Sequence, residues 1–115
     1  MSGFATINAD LDKVSKDIES TTYDVDIARE EYLLKKSEYE NAFAMVELET
    51  KAINPDATQT DIEATAETKT HALRNELVMK DSAYKRCQNK LTALRDRLSA
   101  LMEVAYNLRR EATIR

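Results

Sequence analysis

Glycine and proline are almost missing from this chain, whose 115 residues hold one of each, Gly3 and Pro55. An extended sheet protein needs many tight turns, which draw on both residues, so that class is excluded. Tryptophan is absent, which disfavours a secreted helical hairpin of the Trp-x-Gly type. The single cysteine, Cys87, cannot build an intrachain disulfide framework, and its place on an apolar helical stripe makes it core more readily than a reactive thiol. With one histidine, His71, and one glycine there is neither a glycine-rich phosphate loop nor a Ser-His-Asp or Cys-His arrangement. No apolar run is long enough to span a bilayer, and the first residues lack the basic and apolar regions of a signal peptide. These absences lead us to expect a soluble cytoplasmic protein with no membrane association, no catalytic activity and no cofactor.

Charge and apolar side chains fill the space instead, at 33% and 43% of the residues. A disordered chain would carry far less apolar material. Long regular helices account for the composition. The charge is also uneven. Of the 17 basic and 21 acidic residues, positions 1–57 hold 6 and 13, and positions 58–115 hold 11 and 8. Pairing between the two halves is one explanation; a polyanion-binding surface on the second is another.

Apolar or aromatic residues recur every seven positions through the first half: Phe4, Leu11, Ile18, Val25, Tyr32, Tyr39, Val46 and Ile53. With Ile7, Val14, Thr21, Ala28, Lys35, Ala42 and Glu49 at the companion positions, they form a heptad seam. The second half repeats it, with Leu77, Tyr84, Leu91, Leu98, Ala105 and Ala112 alternating with Leu73, Lys80, Cys87, Leu94, Leu101 and Leu108. The pattern predicts a single all-α domain over residues 1–115, a long coiled-coil-like antiparallel two-helix hairpin. Helix one spans about 4–53, with a break allowed near Ser20-Thr21-Thr22. A turn over 54–59 contains Pro55, and helix two, over about 60–113, starts on a Thr60/Glu63 capping box.

A turn centred on Asp56 pairs Phe4 with Leu108, Leu11 with Leu101, Ile18 with Leu94 and Val25 with Cys87. The same register sets Asp17 and Asp24 opposite Arg97 and Lys90, and places Lys35 and Lys80 at the seam, their stems packed and their ammonium groups in water. Further support comes from the helical i to i+4 pairs Glu31/Lys35, Glu47/Lys51, Glu76/Lys80 and Asp81/Lys85. Because a lone hairpin buries only one stripe per helix, Ile27, Leu34, Met45 and Leu48 on the far side of helix one are expected to form a homo-oligomer interface. Val78, Met79, Met102 and Val104 also lie outside the seam.

Little in the chain suggests a metal. His71 reads as a solvated surface residue without nearby ligands. Asp10/Asp12 and Asp24/Asp26, spaced by two, point to different helix faces. What stands out is basic: Lys80, Lys85, Arg86, Lys90, Arg95 and Arg97, then Arg109, Arg110 and Arg115, with Tyr84 among them. Cations neutralise phosphates and a ring stacks on a base, which is what single-stranded nucleic acid requires. Tyr84 occupies a seam position and reads as core, whereas Lys85 and Arg86 face outward.

The terminal segment Leu98-Ser99-Ala100-Leu101 through Leu108-Arg109-Arg110-Glu111, together with two long helices and the Asn54-Pro55 turn, resembles the UvsY-type recombination mediators of tailed bacteriophages, over roughly Val25 to Glu111. At Ala105 it departs from the glycine of several relatives. That resemblance implies a homo-oligomer in the host cell cytoplasm that binds single-stranded DNA, helps displace single-strand-binding protein and loads a RecA-like recombinase. Lys85, Arg86, Lys90, Arg95, Arg97, Arg109 and Arg110 are then the expected DNA contacts. The rival expectation is a structural coiled coil: a virion assembly or scaffolding component, an adaptor, or a hairpin chaperone.

Overall fold

In the computed structural model, the backbone is described for residues 2–114 and the side chains for residues 3–113. Arg115 lies outside the described residues. The fold is all-α and hairpin-like: α1 covers Ser2–Ile53, α2 covers Gln59–Lys69 and α3 covers His71–Ile114. With no proline inside it and its one glycine, Gly3, in the first turn, α1 runs for 52 residues without a break at Ser20-Thr22. Thr21 is instead buried in the seam, and the Thr22 hydroxyl donates to the Ile18 carbonyl at 2.7 Å, within the helix.

Pro55 follows the last turn of α1, where it cannot continue the helical hydrogen bonding. The Ala57 amide donates to the Asn54 carbonyl at 3.0 Å, closing a turn with proline at its second position. The Asp56 amide donates to Asn54 Oδ1 at 3.3 Å, an Asx-type contact. The cap of α2 is Thr58 and not Thr60. Thr58 is extended (φ −72°, ψ 157°), and its hydroxyl accepts from the Asp61 amide at 3.2 Å. Glu63 accepts from the Gln59 side chain at 3.1 Å, so the Thr60/Glu63 box does not form and the helix starts at Gln59. Thr58→Ala should therefore cost about 1 kcal/mol in urea unfolding followed by helical circular dichroism, with Thr60→Ala close to neutral. A larger loss from Thr60 would contradict this cap.

Where one continuous second helix was expected, Thr70 interrupts it at φ −105°, ψ 12°. Its amide and hydroxyl both donate to the Ala66 carbonyl, at 3.0 and 2.6 Å, and its own carbonyl accepts from the Arg74 amide at 3.0 Å. Hydrogen bonding thus continues through the bend. Threonine back-bonding of this kind deflects helices.

The described chain forms two compact units, Met1–Ile27 with Lys85–Arg115, and Ala28–Tyr84. In the first, antiparallel segments of α1 and α3 bury Val14, Thr21, Leu91 and Ala105, flanked by half-buried Phe4, Leu11, Ile18, Leu94, Leu98 and Leu108. All are heptad positions. The second unit is a hairpin in its own right, with Ile62, Ala66 and Thr70 buried. Here the α1 seam advances by one residue near the turn: Phe43 and Thr50 are half-buried, Glu49 is exposed, and Ile53, expected in the seam, is 83% exposed. The spacing of Ile62, Ala66, Thr70 and Leu73 on the facing side departs from a heptad as well, and the two helices stay matched only if both drift. Ala112 is likewise exposed, past the last buried position at Ala105.

Candidate nucleic-acid interface

Both seam lysines find partners across the hairpin, and Lys35 has a second one along its own helix. Lys35 Nζ lies 3.0 Å from Glu76 and 3.0 Å from Glu38, and Lys80 Nζ lies 3.0 Å from Glu31. Neither Lys35 to Glu31 nor Lys80 to Glu76 is the bond made, as the i to i+4 reading expected. Each lysine occupies a seam position whose stem already points at the opposite helix, and the glutamate beside the facing apolar residue is nearer than the one a turn back. The hydrogen bonds that the Lys35 ammonium donates to Glu76 and then to Glu38 hold it above the ordinary lysine pKa. Lys80 is thereby committed to the hairpin and leaves the basic set. Tyr84 leaves it too: its ring stacks on Tyr32 at 6.0 Å between centroids and 26° between planes, in the core as expected.

All seven expected contact residues, Lys85, Arg86, Lys90, Arg95, Arg97, Arg109 and Arg110, are exposed, and all lie on α3 within the first unit. The expected pairs Asp17–Arg97 and Asp24–Lys90 are not closed into ion pairs. Asp17 and Arg97 instead border one surface hollow with Asp10, Lys13, Val14 and Leu94. Facing one another is thus correct for the register, but water fits between the charges. Ion pairs among the described residues include Lys16–Asp12, Lys35–Glu38, Lys35–Glu76 and Lys80–Glu31. None of them engages Arg86, Lys90, Arg95, Arg97, Arg109 or Arg110.

At 3.6 residues per turn these side chains divide between two flanks of α3. Lys90 and Arg97 precede the seam residues Leu91 and Leu98, and Arg86 lies on their side. Arg95 and Arg109 follow Leu94 and Leu108 and lie on the other side; steps of four and three residues connect Arg95, Ser99, Met102, Tyr106 and then Arg109 and Arg110. Tyr106 is 62% exposed. Sequence reading passed over it in favour of Tyr84, although its step of three and four to Arg109 and Arg110 was available.

No protein-family model, curated protein or solved structure matches this chain. The site therefore rests on its own chemistry. His71 is exposed, with Nε2 3.3 Å from the Asn75 amide nitrogen, and among the described residues no group of three or more His, Cys, Asp or Glu could hold a metal. Cys87 is free and half-buried in the seam. No described helix is long and apolar enough to cross a membrane. The expected interface residues Ile27, Leu34, Met45 and Leu48 are all exposed, together with Val78, Met79, Met102 and Val104.

Proposed function

We propose that this protein is a non-enzymatic accessory factor that binds single-stranded DNA through the basic stretch of α3, as a homo-oligomer. One observation carries the reading: Arg86, Lys90, Arg95, Arg97, Arg109 and Arg110 are exposed and engage no carboxylate among the described residues, although the chain is acidic as a whole. Pairing of a cation from the basic half with a carboxylate from the acidic half does occur, but in the second unit, between Lys80 and Glu31. Exposed cations held on a continuous helix at spacings of a few residues suit successive phosphates, and the affinity they supply grows by avidity when copies are joined. Assistance in loading a RecA-like recombinase, with displacement of single-strand-binding protein, is the role that the resemblance to phage recombination mediators implies for such a surface.

The test is fluorescence anisotropy of the full chain with a labelled single strand, and with the matching duplex, across a salt series. If all six unpaired side chains contact phosphate, the log–log salt slope per chain approaches about −4, from −0.7 per contact. Tight, salt-sensitive binding that favours the single strand supports the reading. Absence of binding at low salt would remove it in favour of a structural coiled coil. That second reading draws on Leu34, Met45 and Leu48, a row of exposed apolar side chains on α1 facing away from the seam.

A further inference from the structure

The two flanks of α3 in the first unit are not equivalent as strand-binding surfaces. On the Lys90 and Arg97 flank, the hollow brings Arg97 together with Asp10 and Asp17 of α1, so a phosphate approaching there meets carboxylates. The α1 residues on that side, each preceding a seam residue, are Asp10, Asp17 and Asp24. On the other side the corresponding α1 residues, each following a seam residue, are Asn8, Ser15 and Thr22, all uncharged. Helices that pack antiparallel bring like flanks together, so Arg95 and Arg109 adjoin the uncharged row.

The end of α3 has a further advantage. The register that places Asp17 and Arg97 at one hollow places Phe4 near Leu108, so the turns of α3 around Tyr106 run beside residues 3–9 of α1, which contain no charged side chain. The carboxylates nearest in the chain are Glu103 and Glu111, on α3 itself; Asp12, further along α1, is engaged by Lys16 at 3.0 Å. Within this surface stands Tyr106, exposed, one turn from both Arg109 and Arg110, with exposed Met102 one turn before it. An exposed aromatic ring costs solubility and contributes nothing to the seam, where Ala105 is the buried residue.

We propose that the single strand follows the Arg95, Arg109 and Arg110 flank of α3 and that a base stacks on Tyr106. This rests on the single-stranded-DNA reading above and specifies its path. Arginines on either side along the helix hold the backbone, and the ring offers a sequence-tolerant platform between them, the combination that general single-strand binders use. The Arg86, Lys90 and Arg97 flank contributes long-range attraction but no base contact.

The experiment is anisotropy with labelled oligothymidylate at one moderate salt concentration, comparing the wild-type chain with Tyr106→Ala, Tyr106→Phe and two triple charge reversals. Tyr106→Ala is expected to weaken binding on the order of tenfold, with Tyr106→Phe retaining it because the ring remains. Arg95→Glu with Arg109→Glu and Arg110→Glu should weaken it further than Arg86→Glu with Lys90→Glu and Arg97→Glu. Wild-type binding that Tyr106→Ala leaves unchanged, or a greater loss from the second triple, overturns the proposed path while leaving the broader reading standing. A smaller particle mass for Tyr106→Ala in light scattering would assign the ring to chain–chain contact and also overturn it. If the wild-type chain binds no strand, the broader reading fails first.

Discussion

Leu91→Ala is expected to destabilise the protein by about 2–5 kcal/mol, the range for truncating a buried leucine. Leu91 is 7% exposed and belongs to a short roll of buried apolar residues, with Val14, Ile62, Ala66 and Ala105. In the seam register it faces Thr21, which is also buried. Removing three carbons there leaves a gap between two helices, and a pair of helices has few neighbouring side chains that could move in to fill it. Domains of this size are stable by roughly 5–15 kcal/mol in total, so the loss is a large share. Urea unfolding monitored by helical circular dichroism measures it. The control is Leu34→Ala, at a leucine exposed by 72%, which should leave the intrachain fold nearly unchanged. A shift below about 1 kcal/mol for Leu91→Ala would mean that α1 and α3 are not closed on one another as described.

The second large effect concerns association. Leu34, Met45 and Leu48 are 72%, 57% and 67% exposed. At about 100° per residue they fall in one narrow arc of α1, roughly opposite the half-buried Tyr39, Phe43, Val46 and Thr50. Burying side chains of this kind is worth about 1.5–3 kcal/mol each when complete, so three per chain, doubled at a symmetric contact, supply a substantial driving force for the proposed oligomer. Leu34→Lys with Met45→Lys and Leu48→Lys should abolish it, because three cations then meet three more across the contact. Light scattering should report a particle larger than one 13.1 kDa chain for the wild type, falling to a single chain for the variant. The dependence of the melting temperature on concentration should vanish with it. A wild-type mass of one chain at every concentration would sink the proposed interface.

Much of the helical architecture was legible because it follows from short-range rules. A two-helix contact has to be apolar every three to four residues, so the heptads from Phe4 to Val46 and from Leu73 to Leu108 could be read directly. Pro55 between them stops a helix whatever surrounds it. The same rules were too coarse at four places. Thr58 and Thr60 are equally good caps by residue type, and only the backbone at Thr58 takes the extended conformation that aims a hydroxyl at the Asp61 amide. Thr70 fell inside what read as one continuous second helix, yet its hydroxyl takes up the Ala66 carbonyl where α2 ends. The polar stretch Ser20-Thr22 allowed a break and is continuous helix, in which packing buries Thr21 and the Ile18 carbonyl accepts from the Thr22 hydroxyl. Tyr84 and Tyr106 are both tyrosines beside basic residues; one faces Tyr32 and the other faces water.

By itself the sequence determined that the chain is helical, where it turns, and which stripe of each helix meets the other, because helix propensity and apolar periodicity act within a few residues and do not depend on the partner. Tertiary structure alone decided which glutamate each seam lysine reaches, whether Asp17 and Arg97 close into a bond, and which tyrosine is left to solvent. Those outcomes turn on differences of an ångström or two between helices, and the strength of a hydrogen bond or ion pair changes over that same distance.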